Sequence, residues 1–224
     1  MNDPRRAGPG CAVVWVALGT RSPSTLLRLD ERARRYRRAR ADAHRIGRRL
    51  VAAYAACAPD RQVWAHDARG RPLVVEPGGL QVSLSHAEAV VAAALSWDVP
   101  VGVDVERLRP LADRAGLART ALSDVEQRSV DEAPEALRDA RVLRFWTRKE
   151  AVAKALGTGL ATDLRAIVTT VDGVVVSLPD ECGPASAWSL ADLTVADDVI
   201  ASVAVRTPRV RVSSRTLALP ADEA

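Results

Sequence analysis

Apolar residues are concentrated in short runs along the chain, and turns rich in glycine and proline separate these runs. The first run, residues 12–18, is almost continuous and predicts a buried strand. Later runs have the length and the bounding turn residues of further strands. These predicted strands lie near residues 63–66, 73–75, 81–85, 89–97 and 101–106.

Helical spacing dominates two other regions. From residue 24 to 58, apolar residues recur among many arginines until Pro59 and Asp60 end the pattern. Residues 111–132 predict short helices, one of which begins at Ser123, because an acidic residue follows three positions later as in a capping box. A further helix is predicted from Pro134 to the glycine at 157.

The last third of the chain returns to strands. Residues 166–171 and 174–178 flank the pair Asp172-Gly173, which predicts a two-residue hairpin loop, and residues 199–205 predict a last strand. The tail from Thr207 is rich in Arg, Ser and Pro, so it is expected to fray. This order indicates an α+β protein with two comparable halves, 1–100 and 101–206, followed by a flexible tail, 207–224.

Composition restricts the class of protein only broadly. Hydrophobic residues make up 48% of the 224 residues, which is enough for a substantial core. Three widely separated cysteines lack zinc-binding spacing, and the apolar run near the N-terminus is too short to span a bilayer. We therefore expect a soluble cytoplasmic protein. The net charge of +4 favours an anionic partner, which includes nucleic acid, a polyphosphate metabolite or an acidic protein.

Two carboxylates share one face of the predicted strand at residues 101–106. Asp104 and Glu106 are two positions apart, so both project to the same side while the valines between them face the other. Adjacent carboxylates repel each other unless a cation lies between them, and hard oxygen ligands suit Mg²⁺. The alternative is a strand end whose acidic side chains simply face water.

A second group of residues lies on the predicted helix that ends at 157. Trp146, Glu150 and Lys154 are spaced four apart and share one stripe of the helix. An ordinary surface ion pair between Glu150 and Lys154 would explain that spacing. However, Lys149 and Lys154 are the only lysines in a chain whose other cationic side chains are all arginine. A compact ammonium and a planar guanidinium are not interchangeable at a phosphate site.

Taken together, the two motifs resemble the signature of the 4′-phosphopantetheinyl transferases, specifically their long single-chain class. The segment VGVDVE at 101–106 and the segment FWTRKEAVAKALGTGL at 145–160 match that signature in order and separation. Matching upstream features are Gly70-Arg71-Pro72, the segment 82–87 and the segment 42–45. Within 82–87 the chain departs from the family pattern, with Ser83 in place of Asn and Ala87 in place of Ser.

The resemblance implies two similar α+β halves, each a small antiparallel sheet packed with helices, with the active site at the seam. It implies transfer of 4′-phosphopantetheine from coenzyme A to a serine of an acidic apo carrier protein, with Mg²⁺ as cofactor and release of 3′,5′-ADP. The implied metal ligands are Asp104, Glu106 and Glu150, and the implied catalytic residues are Glu150 and Lys154. The implied coenzyme A contacts are Arg32, Arg35, Arg45, Arg71, Ser85, His86, Lys149 and Lys154.

Three alternatives stay open at this point. A basic nucleic-acid-binding module would use the arginines of 32–49, and its binding would weaken steeply with salt. A transferase-like fold that only binds a carrier protein, without catalysis, is the second. The third is Mg²⁺-dependent transfer from a different nucleotide-bearing donor. For the transferase we expect a monomer, because both halves lie in one chain.

Overall fold

A computed structural model describes residues 11–18, 29–158 and 161–218. Within these residues the helices are α1 (Leu29–Ala55), α2 (Arg114–Ala121), α3 (Asp124–Asp131) and α4 (Glu135–Leu156). The strands are β1 (Cys11–Leu18), β2 (Val63–His66), β3 (Pro72–Glu76), β4 (Leu80–Ala87), β5 (Val90–Trp97), β6 (Val101–Arg107), β7 (Val168–Thr169), β8 (Val175–Ser177), β9 (Ser189–Leu193), β10 (Val199–Val205) and β11 (Arg211–Ala218).

The first sheet has four strands in the order β11-β1-β5-β4. Strand β1 is parallel to β11 and antiparallel to β5, which is in turn antiparallel to β4. Side chains alternate along a strand, so β1 buries both of its faces. Val13 and Trp15 belong to the core that contains α1, whereas Val14 and Val16 belong to the core shared with the second sheet.

The second sheet has three antiparallel strands in the order β6-β10-β9. Val101, Val103 and Val105 of β6 enter the core between the two sheets. The alternate residues of β6 point the other way, and Asp104 meets Lys154 of α4. The layers are therefore α1, the first sheet, the second sheet and α4. This mixed arrangement of small, mostly antiparallel sheets packed with helices confirms the predicted α+β fold.

The predicted helix ends of the second half are confirmed in detail. The hydroxyl of Ser123 accepts the backbone N–H of Glu126, and the Glu126 side chain accepts the backbone N–H of Ser123 at 2.8 Å. Helix α4 ends at Gly157, whose φ of 72° is the left-handed conformation that glycine adopts without strain. This stop fixes the position of Lys154 one turn from the helix end.

The structure differs from the sequence-based expectation in two strands. Residues 211–218, expected to belong to a fraying tail, form β11 along the edge of β1. Most of its side chains are exposed, and only Val212 and Leu217 are among the apolar residues packed against the cores. Backbone pairing, not side-chain burial, holds β11, so its sequence carries no apolar signal. Strand β9 was also absent from the expected elements, and residues 219–224 lie outside the described part of the chain.

The predicted hairpin near Asp172-Gly173 exists, but its loop has three residues. Thr170 pairs with Val174 through a backbone hydrogen bond of 2.9 Å, and Gly173 closes the turn onto the Thr170 carbonyl at 3.0 Å. A φ of 84° at Gly173 fits a turn that ends in a left-handed residue. Across the described ranges 11–18, 29–158 and 161–218, no helix combines the length and the apolar character that a membrane crossing requires.

Candidate active site

Gly102 permits an unusually close approach between β6 and α4. A Cβ atom at this position would lie 1.9 Å from the carbonyl oxygen of Ala151 and 2.6 Å from the amide nitrogen of Ala155. Real Cβ atoms essentially never approach other atoms so closely. The missing side chain therefore lets the helix rest on the strand backbone. This contact brings Asp104 of β6 within reach of the side chains on α4.

Asp104, Lys154 and Ser85 form a closed set of hydrogen bonds. The ammonium of Lys154 donates to Asp104 Oδ1 at 2.7 Å and to the Ser85 hydroxyl at 2.9 Å. The Ser85 hydroxyl donates to the same Asp104 oxygen at 2.8 Å. Asp104 is 6% exposed, and Lys154 keeps 26% of its side-chain surface in solvent. The three residues come from β6, α4 and β4, so the set joins the two sheets.

Ser83 adds a second bond between the sheets. Its hydroxyl accepts the backbone N–H of Val103 at 3.1 Å, one residue before Asp104. Neither strand of this pair belongs to the other's sheet, so the side chain provides a bond that no strand ladder supplies. A buried N–H without a partner would cost about 1–3 kcal/mol. Ser83, at the family's Asn position, therefore satisfies the backbone beside Asp104.

Glu150 and Glu106 complete the acidic side of the site. Burial raises the pKa of the Glu150 carboxyl, the charge of Asp104 raises it further, and Lys154 opposes this effect. The pKa of Glu106 is also raised, again by burial and then by Asp104, while Arg109 opposes the rise. Arg109 donates to Glu106 at 2.9 Å from the solvent side. The three carboxylates are thus close enough for the charge of one to raise the pKa of another.

The acidic residues have the donor chemistry for a hard divalent cation. Arg109 pairs with Glu106 and Lys154 pairs with Asp104, while the charge of Lys154 also acts on Glu150. One oxygen of each, Asp104 Oδ2 and Glu150 Oε1, is buried and lacks a hydrogen-bond partner among the described residues. A buried unpartnered carboxylate oxygen is costly, and a cation would satisfy it.

These carboxylates do not converge on one point in the structure. Within residues 11–18, 29–158 and 161–218, no group of three or more His, Cys, Asp or Glu side chains is arranged to hold a metal ion. Lys154 explains this arrangement, because its ammonium lies against Asp104 Oδ1 at 2.7 Å, as a bound cation would. The donor set fits a cation, and its assembly requires side-chain movement.

His86 lies next to this site on β4. Its ring packs edge-on against Tyr36 of α1, with 4.8 Å between the ring centroids. Burial lowers the pKa of His86, and the charges of Lys154 and Arg40 lower it further. Arg40 follows Tyr36 by four residues and therefore shares its stripe on α1. The positive charges of Lys154 and Arg40 thus both act on His86.

A cleft of about 210 Å³ lies on another side of Lys154, between the turn at 69–72 and the end of α4. Arg71 lines it, and this guanidinium donates to Gln81 at 2.9 Å. Burial lowers the pKa of Arg71, and its Nε has no partner in the described part of the chain. Arg69 donates to the Gly157 carbonyl at 3.3 Å, so the turn is fastened to α4.

Three residues expected at a coenzyme A site have other partners. Arg35 pairs with Glu31 at 3.6 Å, and Arg45 pairs with Asp42 at 2.5 Å within α1. Lys149 is fully buried, where its ammonium contacts Glu126 at 2.5 Å and the Leu164 carbonyl at 2.9 Å. The structure does not bring these three to Lys154. The side chain of Arg32 lies outside the described part of the chain.

The expectation for Lys149 overlooked the direction of its side chain. Lys149 and Glu150 are consecutive on a helix, so they point about 100° apart and cannot share one site face. Glu126 is the partner, and it also accepts the backbone N–H of Thr169 at 2.9 Å. The capping-box pattern identified Glu126 as a helix cap, but no sequence signal linked it to Lys149. Arg40 was missed because its neighbours on α1 are also arginines.

Fold and site together define an α+β protein with a carboxylate–lysine centre where its two larger sheets meet. Residues 100–204 match the model of the 4′-phosphopantetheinyl transferase superfamily. The chain is 29% identical to the 4′-phosphopantetheinyl transferase HetI of a Nostoc species, over 71% of this chain and 67% of HetI. It is 34% identical to the 4′-phosphopantetheinyl transferase AcpT of Escherichia coli, over 40% of this chain and 46% of AcpT.

The matched region contains Asp104, Glu106, Glu150 and Lys154. The match of residues 100–204 to that superfamily's model confirms the resemblance found in the sequence motifs. The match to AcpT covers less than half of that protein's length, whereas the match to HetI extends further along both chains.

Proposed function

We propose that this protein transfers the 4′-phosphopantetheine part of coenzyme A to a serine hydroxyl of an apo carrier protein, with Mg²⁺ as cofactor and 3′,5′-ADP as the second product. The observation that carries the proposal is the contact set of Asp104, Lys154 and Ser85, which combines both halves of the chain. A cationic cleft and a cluster of carboxylates meet at this set. A donor with a pyrophosphate needs both features.

In this proposal Asp104, Glu106 and Glu150 hold the Mg²⁺. Two observations support this assignment. Lys154 supplies one positive charge beside Asp104 and Glu150, and each of these two carboxylates has a buried oxygen without a partner among the described residues. When bound, the cation would neutralise charge on the pyrophosphate of coenzyme A. Lys154 would turn from Asp104 towards a phosphate oxygen, since an ammonium forms charge-assisted hydrogen bonds with phosphates as well as with carboxylates.

Coenzyme A carries a pyrophosphate and a 3′-phosphate, so its binding requires several cations. Lys154 and Arg71 line the cleft of about 210 Å³, and His86 and Ser85 lie on the strand beside it. We add Arg40 to this set, because its charge acts on His86. The contacts of Arg35, Arg45 and Lys149 with Glu31, Asp42 and Glu126 favour roles outside the coenzyme site.

The chemical step replaces a phosphoanhydride bond of coenzyme A with a phosphoester bond to the acceptor serine. Glu150 takes the proton of the acceptor serine, directly or through one water molecule, as general base. The serine oxygen then forms a bond to the phosphorus next to pantetheine, and the bond from that phosphorus to the bridging oxygen breaks. The leaving 3′,5′-ADP keeps that oxygen and its electron pair. Lys154 stabilises the charge that develops on the phosphates.

The acceptor would be an acidic carrier domain that docks on a basic surface. The net charge of +4 favours such an encounter because opposite charges steer association. Both halves of the site lie in one chain, so a monomer is sufficient for activity. We also propose a cytoplasmic location, because the protein would meet coenzyme A and apo carrier proteins there.

The test is to incubate the protein with coenzyme A, Mg²⁺ and an apo carrier protein, and to weigh the carrier by mass spectrometry. The expected result is the gain of one phosphopantetheine group per carrier, lost on addition of EDTA. Glu150→Gln should abolish the gain, while the matched variant Glu132→Gln, at an exposed position before α4, should retain it. No gain in mass with several unrelated carriers would overturn the proposal.

A further inference from the structure

A second cleft, of about 190 Å³, lies on α4 away from the site described above. We call it the arginine cleft. Its lining includes Leu137, Arg141, Arg144, Phe145, Arg148 and Val171. Three guanidinium groups at positions 141, 144 and 148 therefore face the same space, and no step of the proposed reaction uses them.

The charges in the arginine cleft are not balanced. Arg148 makes two hydrogen bonds to Asp192, at 3.0 and 2.6 Å, and Arg144 reaches the same carboxylate only at 3.8 Å. Arg141 donates to the carbonyl and the hydroxyl of Ser129, which are neutral. Within the described residues, Asp192 is thus the one carboxylate paired with these three arginines. Like charges at this helical spacing repel one another, so an added anion would relieve the repulsion.

The inner part of the arginine cleft is held rigidly. Arg148 is 2% exposed, and it also donates to the Thr170 carbonyl at 2.8 Å. Asp192 accepts a further hydrogen bond of 2.9 Å from Ser202, whose hydroxyl lies 3.1 Å from that of Thr147. A ligand that binds to this rigid inner part of the cleft therefore costs the protein little conformational entropy. Arg144, by contrast, keeps 52% of its side chain exposed at the entrance and is available to a ligand.

Apolar surface surrounds the guanidinium groups. Leu137 is 53% exposed and Val171 is 44% exposed, while Phe145 closes the interior at 2% exposure. A bare inorganic ion would leave both exposed side chains uncovered. An anionic group with apolar neighbours would cover them and gain about 25 cal/mol for each Å² of apolar surface removed from water.

The arginine cleft and the carboxylate–lysine centre lie on different faces of α4. At about 100° per residue, Glu150 points roughly 200° away from Arg148 around the helix axis. Because these two directions are nearly opposite, a domain that presents a hydroxyl to Glu150 approaches α4 from the side away from the cleft. The ligand of the cleft is therefore a separate segment.

We propose that the arginine cleft docks an acidic side chain from a segment of a partner protein. The carboxylate enters between Arg141 and Arg144, and apolar residues that flank it in the partner pack on Leu137 and Val171. Charge complementarity carries this assignment, because the cleft presents three cations and one anion. The site does not depend on the transferase activity.

The probe for the test is a fluorescent synthetic peptide in which two adjacent aspartates are flanked by leucines, followed by anisotropy against the full-length protein. We expect saturable binding that Arg144→Glu weakens by about tenfold or more. The matched variant is Arg211→Glu on β11, an exposed position with the same change of charge, and it should alter the affinity by less than about twofold. Leu137→Ser should weaken binding severalfold, since it removes apolar cover.

Each other outcome overturns the proposal in a different way. Absence of saturable binding to the wild-type protein would remove the docking site. Equal losses in Arg144→Glu and Arg211→Glu would mean non-specific attraction to a basic protein. If Leu137→Ser had no effect and inorganic phosphate displaced the peptide fully, the cleft would be a site for small anions only. Arg144 and Leu137 are both exposed, so neither variant should prevent folding.

Discussion

The backbone of Gly102 lies against the carbonyl oxygen of Ala151, at a distance that leaves no room for any side chain. Asp104 follows Gly102 by two residues on β6, and the contact between β6 and α4 places it beside Lys154. The glycine of the family motif therefore has a steric role, and the acidic residues after it depend on that role.

Gly102→Ala should destabilise the protein and displace α4 from β6. The added methyl group would overlap backbone atoms of the helix, which cannot rotate away as a side chain could. Overpacking of a core costs about 1–3 kcal/mol, and we expect the upper end of this range or more. Urea denaturation measures the loss in the free energy of unfolding.

The matched control is Gly78→Ala. A Cβ atom at Gly78 would meet nothing within 4 Å, and its backbone does not have a positive φ. We therefore expect a change within about 0.5 kcal/mol, as for other surface substitutions. Equal stability losses in the two variants would show that close packing against α4 is not the function of Gly102.

Sequence patterns predicted the parts of this structure that depend on local chemistry. The acidic stripe of β6, the cap at Ser123 and the stop at Gly157 all follow from residue spacing or backbone preference. Arg40 and Glu126 could not be found in this way, because their partners are distant in sequence. Arg40 differs from the other arginines of α1 because its charge acts on His86, and Glu126 is distinguished by its ion pair with the buried Lys149. Both relationships arise only from tertiary packing.

Strand β11 illustrates a second limit of sequence patterns. Its residues are mostly polar, and its register with β1 depends on backbone hydrogen bonds that any sequence can make. Apolar periodicity reports burial, so it cannot reveal a strand most of whose side chains are exposed.

The buried pair of Lys149 and Glu126 gives a prediction about stability. Lys149→Met alone should destabilise the fold by about 3–5 kcal/mol, because it leaves the Glu126 carboxylate buried without its cation. Adding Glu126→Gln should recover a large part of this loss, since glutamine is neutral and still serves the capping box with Ser123. A double-mutant cycle from urea denaturation measures the coupling energy.

The double variant, compared with Lys154→Met, separates the roles of the two lysines. The Lys149→Met/Glu126→Gln protein should bind 3′,5′-ADP as tightly as the wild type, because the Lys149 ammonium contacts Glu126 and Leu164 instead of the cleft. Lys154→Met should weaken binding by about tenfold or more. Isothermal titration calorimetry measures both affinities. A large loss in the first protein would return Lys149 to the coenzyme site.

Divalent cations should stabilise the folded protein. At a Mg²⁺ concentration about one hundred times the dissociation constant, the stabilisation is about 2.7 kcal/mol, which appears as a rise in Tm. Asp104→Asn should abolish this rise, since it removes a carboxylate with an unpartnered oxygen. The matched variant Asp172→Asn, at an exposed turn position, should retain it. An equal rise in both variants would place the cation elsewhere.

The three histidines of the chain make the electrostatics of α1 measurable by NMR. Burial lowers the pKa values of His44 and His86 below 6.5, and the charge of Arg40 contributes to both shifts. The unfolded chain therefore binds protons at a higher pH than the folded protein does. The contribution of these two histidines to the free energy of unfolding is therefore complete above about pH 6.5. It falls as the pH decreases from there towards their lowered pKa values.

Arg40→Gln should raise the pKa of both histidines towards 6.5, because it removes one of the positive charges that oppose their protonation. The effect should be smaller at high salt, where exposed charges are screened. Arg211→Gln makes the same change of charge on β11 and should leave both pKa values unaltered. If the two variants shifted the pKa of His86 equally, net charge and not the position of Arg40 would control it, and Arg40 would be removed from the proposed coenzyme A contacts.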